Sequence, residues 1–482
     1  MKQYISDIIT SDEIAKWQLG DRILIHSQTG SGKSEFIKNN LYEYCKKQHK
    51  RILLLSNRNL LKNQNLIDIR GKTDHINAHN YQEFEARILG GLNVPQLFKP
   101  YDYIVYDEAH YIFSDSQFNR NTDLLIKPIY KTPLDKIFIF ITATPDALLD
   151  FQPDYQFKYN LPHDYSYINT VYFYTHGATV ESIIRHIPQE EKVIYFGSNA
   201  SDTLGLSQRF ENSSFICSND NELRDKSNQE TIRQIVNDQK FECRLLFATK
   251  LLDNGTNIKD SAVKHIIIDM LDPISFIQCI GRRRCLFEGD TINLYIRNYH
   301  GGNLYYVIEN YNSRLKFVQD LQEMNEVDFK NKYRKTNIDD VIDNDMQINY
   351  AKYQHYVTQK RLLGDMFLDI DKSGYKKYVC ELLQFSYNKI RSADEEFEII
   401  SMKKLLERNL NIKMFEEEQE RFKDLFFDNI FTSKKVDYIA RGIKAISGII
   451  RENKLKYEIY SRRETKRENR KRYYWIIERL EL

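Results

Sequence analysis

The sequence predicts an α/β fold, with two tandem doubly wound parallel-sheet units followed by a mostly helical C-terminal region. Over the first two thirds of the chain, short apolar runs alternate with helix-compatible segments, which is typical of strands buried on both faces of a parallel sheet. The pattern is interrupted at 150–166 and then restarts. Beyond residue 305 glycine and proline become sparse, and charged residues alternate with Leu, Ile, Phe and Tyr at helical spacing.

Chain length and the positions of turn-forming residues predict three units. A chain of 482 residues exceeds one ordinary hydrophobic core. We expect a first unit at 1–160, a second at 161–304 and a helical unit at 305–482. Pro153 and Pro162 favour a linker over 150–166.

The expected strands are continuous apolar runs. In the first unit they are 23–26, 52–55, 103–106 and 137–141, and in the second unit 171–174, 193–196, 245–248 and 265–268. Because ligands of open α/β sheets bind at the carboxyl ends of the strands, the residues that follow these runs are the first candidates for a site.

The first run leads into a glycine-containing turn, and residues 27–34 read Ser-Gln-Thr-Gly-Ser-Gly-Lys-Ser, the layout of a phosphate-binding P-loop. The glycines let backbone N–H groups face phosphate oxygens at a helix N-terminus. Lys33 supplies charge for the β/γ-phosphates, and the Ser34 hydroxyl supplies a Mg2+ ligand. Ser27 stands where the usual pattern has glycine. The candidate nucleotide-binding residues of the loop are Thr29, Gly30, Ser31, Gly32, Lys33 and Ser34.

An acidic pair follows the third run, in the sequence Asp107-Glu108-Ala109-His110. Hydrolysis of Mg·ATP needs a carboxylate near the metal and a second group that positions water. Asp107 suits the first role and Glu108 the second.

Together the P-loop and Asp107-Glu108-Ala109-His110 resemble the superfamily-2 helicases of DEAD/DEAH type, in an uncharacterised bacterial or phage-type branch. Further segments resemble motifs of that family in the family's order, over about residues 27–285. They are 56–64, Asn80-Tyr81-Gln82, Thr142-Ala143-Thr144, Phe196-Gly197-Ser198, 249–257 and 278–284.

The resemblance implies two RecA-like domains with ATP between them. Gln278 and Arg282 would act from the second domain on the γ-phosphate, where a cationic group stabilises transferring charge. The family's second arginine aligns with Cys285, so Arg283 or Arg284 would substitute for it. Gly255 would approach the nucleotide. The implied nucleic-acid contacts are Asn57, Arg58, Ser198 and Thr249.

The C-terminal end resembles a winged-helix element at 436–482, because a helix over 436–453 precedes two β-like runs at 457–460 and 473–477. The loop between the runs is basic, and its cations would contact phosphates. The alternative is a solvated hairpin whose charges keep the tail soluble. The candidate phosphate contacts are Arg462, Arg463, Arg467 and Arg470.

The expected function is an ATP-dependent helicase with ATP and Mg2+ as ligands and DNA favoured over RNA. A translocase that remodels without unwinding and a non-catalytic, ATP-switched scaffold are the alternatives. The six cysteines show no zinc, iron–sulfur or disulfide spacing, so we expect a cytoplasmic protein without a structural metal. The absence of a long apolar window argues against membrane insertion, and the family resemblance leaves replication or mobile-element partner proteins open.

Overall fold

The computed structural model describes most of the chain. The described residues are 3–28, 30–57, 69, 71–117, 119–126, 135–151, 154–218, 221–249, 257–336, 338, 341–343, 345–367, 374–428, 430, 442–465 and 472–480. Five predicted site residues lie outside these ranges, namely Thr29, Arg58, Gly255, Arg467 and Arg470.

The first unit contains a six-stranded parallel sheet with the order β3-β2-β4-β5-β1-β6. Its strands are β1 (Arg22–His26), β2 (Ile52–Ser56), β3 (Ile76–Asn80), β4 (Tyr103–Asp107), β5 (Ile137–Thr142) and β6 (Phe157–Asn160). Alternate residues enter opposite core clusters, as Leu24 does on one face and Ile23 and Ile25 do on the other. Both faces are therefore covered, as the continuous apolar runs predict.

The linker predicted at 150–166 is wrong in its central part. Residues 157–160 form β6, which pairs in parallel with β1, with Ile23 opposite Phe157 and His26 opposite Asn160. The segment therefore completes the edge of the first sheet. Its polar and apolar residues alternate because an edge strand is only half covered.

The second unit contains a seven-stranded parallel sheet with the order β13-β7-β12-β11-β8-β10-β9. Its strands are β7 (Ile168–Tyr174), β8 (Lys192–Gly197), β9 (Ser213–Ile216), β10 (Leu245–Ala248), β11 (Val263–Asp269), β12 (Ile292–Arg297) and β13 (Arg391–Ser392). The edge strand β13 comes from the C-terminal region, so that region is built into the second sheet.

Helices cover both sheets and dominate the C-terminal region. In the first unit they are α1 (Ile5–Ile8), α2 (Ser11–Ile14), α3 (Lys33–Glu35), α4 (Tyr42–Lys47), α5 (Tyr81–Leu89), α6 (Val94–Phe98), α7 (Tyr111–Ser114) and α8 (Asp146–Phe151), with a π-helical segment at Phe36–Leu41. In the second unit they are α9 (Gly177–His186), α10 (Ala200–Ser207), α11 (Gln229–Asp238) and α12 (Pro273–Arg282). In the C-terminal region they are α13 (Gly301–Glu323), α14 (Glu326–Lys332), α15 (Tyr350–Phe367), α16 (Gly374–Leu382), α17 (Ala393–Arg408), α18 (Glu416–Asp428) and α19 (Ile443–Glu452).

The end of the chain forms a small packed unit of its own. Strands β14 (Tyr457–Arg463) and β15 (Tyr473–Arg479) make an antiparallel hairpin. Met402, Phe426, Ile450 and Trp475 are buried in one cluster that joins α17, α18 and α19 to this hairpin. The predicted class, two parallel α/β units plus a mostly helical C-terminal region, is confirmed.

Among the described helices, none combines the length and the apolar character needed to cross a membrane.

Candidate nucleotide site and nucleic-acid interface

The P-loop adopts a conformation that only glycine tolerates easily at two positions. Gly30 and Gly32 have φ values of 91° and 84°, and Gly32 is the N-cap of α3. A Cβ at Gly32 would lie 3.3 Å from Tyr4 Cδ1. The N-terminal segment also braces the loop, because the Ile5 amide donates to the Ser31 carbonyl at 3.1 Å.

Lys33 and Glu108 meet directly at the carboxyl edge of the first sheet. Lys33 Nζ lies 3.1 Å from Glu108 Oε1, and both residues are 8% exposed. Glu108 follows β4 with φ of +50°, a left-handed conformation that is unusual for a non-glycine residue. This turn directs the carboxylate toward the P-loop, which joins the two predicted halves of the nucleotide site.

The pKa values of the two neighbouring carboxyl groups are shifted in opposite directions. Burial, reinforced by the negative charge of Glu108, raises the pKa of Asp107. Burial alone would also raise the pKa of Glu108, but the charges of Lys33 and Arg282 outweigh it and hold that pKa below its usual range. Glu108 is therefore ionised at neutral pH.

Hydrogen bonds join the acidic segment to its neighbours. The Glu108 amide donates to Asp107 Oδ1 at 3.0 Å, and the Tyr81 hydroxyl donates to the Asp107 carbonyl at 2.8 Å. Tyr81 is 1% exposed and stacks between Tyr106 and Tyr111. The segment Asn80-Tyr81-Gln82 thus supports the backbone that carries the acidic pair.

Thr142, at the end of β5, contacts both the P-loop and the acidic segment. The Ser27 amide donates to the Thr142 carbonyl at 2.9 Å, and His110 Nδ1 lies 3.0 Å from Thr142 Oγ1. The Thr144 amide donates to the same hydroxyl oxygen at 3.0 Å. Burial lowers the pKa of His110 to about 4, so its ring is neutral at pH 7.

The second unit contributes α12, which carries Gln278 and Arg282 on one side. Arg282 Nη2 donates to Gln278 Oε1 at 2.9 Å, and the two residues are 1% and 2% exposed. The guanidinium lies near enough to Glu108 to lower the pKa of that carboxyl. Gln278 Nε2 is buried and makes no hydrogen bond to the part of the chain that the structure describes.

The adjacent residues Arg283 and Arg284 have different surroundings. Arg283 is 2% exposed, forms a buried ion pair with Asp290 and donates to the Val263 carbonyl at 3.3 Å. Arg284 Nε donates to Asn257 Oδ1 at 2.8 Å. Burial and the charge of Arg282 lower the pKa of Arg284 to about 10, and Glu108 acts on it in the opposite direction. Arg283 is therefore held within the second unit, while Arg284 lies within electrostatic range of Glu108.

The predicted metal-binding oxygens belong to Ser34 and Asp107. Ser34 is exposed in the first turn of α3, and Asp107 is buried at the end of β4. No group of three or more His, Cys, Asp or Glu side chains among the described residues could hold a metal ion by itself. A hydroxyl and a carboxylate fit Mg2+, which takes few protein ligands and otherwise keeps water and phosphate oxygens.

The predicted nucleic-acid contacts occupy different environments. Ser198 is exposed after β8, and Thr249 is partly exposed after β10. Asn57, after β2, is 1% exposed, so its side chain is not presented to solvent. Arg462 and Arg463 lie on the exposed part of β14, and Arg462 forms an ion pair with Glu478 at 2.7 Å.

Asp272 is a site residue that the sequence analysis did not single out. Its carboxylate accepts from the amides of Ile274 and Ser275 at 3.1 and 3.3 Å, and so caps α12. An aspartate followed by proline is a recognisable helix start, and this signal could have identified it. Sequence alone gives no comparable signal for the Tyr81 contact with Asp107.

The comparisons with known proteins place few constraints on function. No protein-family model matches the chain, and a search of curated proteins returns no match. Among solved structures, the chain is similar to S. cerevisiae Dbp5 L327V bound to RNA and ADP BeF3, with 16% sequence identity and a TM-score of 0.40. The alignment covers 57% of this chain and 78% of that chain. Function is therefore inferred from the geometry of the site.

Proposed function

We propose that this protein is an ATP-dependent nucleic-acid helicase of superfamily 2, which couples ATP hydrolysis in an interdomain cleft to movement along DNA and to its unwinding. One observation carries the proposal: Lys33 of the P-loop lies 3.1 Å from Glu108, and Arg282 of the second unit acts electrostatically on the same carboxylate. A phosphate-binding lysine, a water-positioning carboxylate and an arginine from another domain are the parts that phosphoryl transfer to water requires.

ATP and Mg2+ fit the residues that surround this point. The amides after Gly30 and Gly32 would bind phosphate oxygens, and Lys33 Nζ would turn from Glu108 toward the β/γ-phosphates. Ser34 and Asp107 would hold Mg2+, which neutralises charge on the phosphates when it is bound. Gly255 and Thr29 are proposed to approach the nucleotide with them.

In the proposed hydrolysis step, Glu108 orients a water molecule by accepting one of its hydrogen bonds. The water oxygen forms a bond to the γ-phosphorus, the bond from that phosphorus to the β,γ-bridging oxygen breaks, and ADP leaves with that oxygen. The water proton passes to Glu108 or to the released phosphate. Because its pKa is depressed, Glu108 acts more through orientation than through basicity. Arg282, Arg284 and Gln278 are proposed to stabilise the charge that develops on the γ-phosphate.

Closure of the two units would link this step to nucleic acid. Hydrolysis would need Arg282 in the cleft between the units. A nucleic-acid strand bound across both units would favour the closed arrangement that keeps Arg282 there. Thr249 and Ser198 follow strands of the second sheet and are proposed to contact the nucleic-acid backbone, with Arg58 on the first unit. Asn57 is buried and is left out of this proposed interface. The contact of His110 with Thr142 at 3.0 Å would couple a change at the acidic segment to the residues at the end of β5.

Two substitutions test the enzyme assignment. Lys33→Ala removes the phosphate-binding charge, and Glu108→Gln removes the carboxylate but keeps its shape. We expect each to lower kcat for ATP hydrolysis by about 10²-fold or more, which is the usual effect of losing one such catalytic group. Glu108→Gln should keep its affinity for ATP, measured with a fluorescent nucleotide, whereas Lys33→Ala should lose affinity.

The exposed residues Lys47 and Glu43 on α4 provide matched controls. Lys47→Ala and Glu43→Gln make the same chemical changes outside the cleft and should leave kcat unchanged. If Lys33→Ala and Glu108→Gln hydrolyse ATP as fast as these controls do, the protein is not the proposed ATPase.

A further inference from the structure

Helix α15 (Tyr350–Phe367) joins the two parallel-sheet units although it belongs to neither sheet. Near its start, Ala351 is fully buried in a core cluster of the first unit, and its amide donates to Asp123 Oδ1 at 3.1 Å. Near its end, Leu363 and Met366 are buried in the core cluster that lines the second sheet. A helix of 18 residues is about 27 Å long, so one rigid element spans both units.

Two side chains of α15 hold the helix that follows β5. Thr358 Oγ1 donates to Asp150 Oδ2 at 2.8 Å. Arg361 donates to Asp146 Oδ1 and to Asp150 Oδ2, each at 3.1 Å. Both aspartates lie on α8, which begins two residues after Thr144 and therefore close to the contact between Thr142 and His110.

A third side chain of α15 holds the helix that carries the proposed γ-phosphate ligands. Gln359 Nε2 donates to Asp272 Oδ1 at 2.8 Å. Asp272 in turn caps α12 through the amides of Ile274 and Ser275. Gln278 and Arg282 lie further along α12, so the Gln359 contact fixes the start of the helix that presents them.

The spacing of the three residues explains how one helix can serve both units. Positions 358 and 361 are three residues apart and share a face of the helix, while position 359 is rotated by about 100°. Thr358 and Gln359 are 0% and 2% exposed, so each of these polar contacts has a buried group at one end.

We propose that Thr358, Gln359 and Arg361 are positioning residues, which set α12 against α8 and so place Arg282 opposite Glu108. The inference rests on the proposed ATPase function for its kinetic consequence, but not for its structural one. It predicts that the C-terminal region participates in turnover without contributing a group that contacts ATP.

The test removes the three polar contacts and preserves side-chain size as far as the natural residues allow, in the triple variant Thr358→Val, Gln359→Leu, Arg361→Met. An interaction that aligns groups for the transition state lowers kcat while substrate binding persists, so we expect kcat to fall at least about tenfold and KM for ATP to change less than about threefold. Lys360→Met is the matched control, because Lys360 is exposed on the same helix. It should leave both constants unchanged.

Hydrogen exchange supplies a measurement that does not depend on turnover. In the triple variant, the amides of α12 should exchange faster than in the unmodified protein, while those of α9 in the same unit should be unchanged. Equal exchange in α12 would overturn the proposal, even if kcat fell. So would an unchanged kcat in an otherwise active enzyme.

The two proposals can fail separately. If the unmodified protein hydrolyses no ATP with any nucleic acid, the proposed function fails, and the exchange of α12 amides still tests whether α15 positions that helix. If the unmodified protein is active and the triple variant matches it in kcat, only the positioning role fails.

Discussion

At the scale of single residues, Glu108 combines a strained backbone with a buried charge. Its φ of +50° costs conformational energy, and the residue is only 8% exposed. Neither feature helps the chain to fold, but together they place a carboxylate beside Lys33. Strain of this kind persists where the surrounding structure fixes it, and here the Ala109 amide donates to the Ile141 carbonyl at 3.0 Å directly after the turn.

The sequence identifies the residue types of the candidate site. It does not decide which of two adjacent arginines lies near Glu108. The proximity of Lys33 and Glu108 was predictable, because the P-loop and the acidic pair each follow a strand of the same parallel sheet. Which of Arg283 and Arg284 lies within electrostatic range of Glu108 was not predictable, because Arg283 pairs instead with Asp290, which has no motif of its own.

Arg283 and Arg284 should therefore have separable roles. Arg283→Ala leaves Asp290 with Lys264 as its remaining cation at 3.1 Å, and we expect the free energy of unfolding to fall by about 2–3 kcal/mol. Arg284→Ala should leave the unfolding free energy nearly unchanged and lower kcat at least about tenfold, as loss of a charge-stabilising arginine does. Urea unfolding and steady-state ATPase measurements on both variants check this. The reverse pattern would assign the catalytic role to Arg283.

At the scale of secondary-structure elements, strands with continuous apolar sequences were predictable and the others were not. β2 reads Ile-Leu-Leu-Leu-Ser and was recognised, whereas β3 reads Ile-Asn-Ala-His-Asn and was missed. β6 reads Phe-Lys-Tyr-Asn at the sheet edge, between two prolines that favoured a linker. In β3 and β6 the backbone pairing compensates for weak apolar character, and pairing partners far along the chain are invisible in a local pattern.

The β14–β15 hairpin, which carries the basic residues of the C-terminal region, packs against helices of that region. Trp475 and Ile477 are buried against helices α17 to α19, while Arg462 and Arg463 remain on exposed positions. This arrangement suits either a phosphate contact or a solvated hairpin, the two interpretations that the sequence left open. Arg467 and Arg470 lie outside the described residues.

Salt dependence of binding separates these interpretations. Replacing Arg462, Arg463, Arg467 and Arg470 with glutamine should weaken binding to single-stranded DNA. It should also reduce the slope of log K against log salt by up to about 0.7 for each phosphate that the variant no longer neutralises. Fluorescence anisotropy at several salt concentrations measures both.

A control variant removes the same charge from the exposed outer surface of the second unit. It carries glutamine at Arg209, Arg224, Lys226 and Arg233. An equal loss of affinity in the two variants would indicate a general charge effect and would leave the hairpin as a solvated element.

At the scale of the whole molecule, the C-terminal region is integrated with the α/β units. β13 extends the second sheet by pairing with β7, and α15 contacts the cores of both units. The division into units at residues 160 and 304 stays a prediction, based on changes in composition and hydrophobic pattern along the sequence. The contacts of Gln359 with Asp272 and of Arg361 with Asp146 join residues far apart in the chain, so no sequence pattern could have predicted them.

The central claim is that nucleic acid controls an ATPase site shared by two units. The most direct measurement is the steady-state rate of ATP hydrolysis with single-stranded DNA, duplex DNA and RNA side by side, and with no nucleic acid. We predict a rate at least about tenfold higher with DNA than without nucleic acid, a smaller increase with RNA, and no increase in Glu108→Gln, because closure of the cleft places Arg282 for catalysis. A rate that is the same with every nucleic acid and without any would contradict this function.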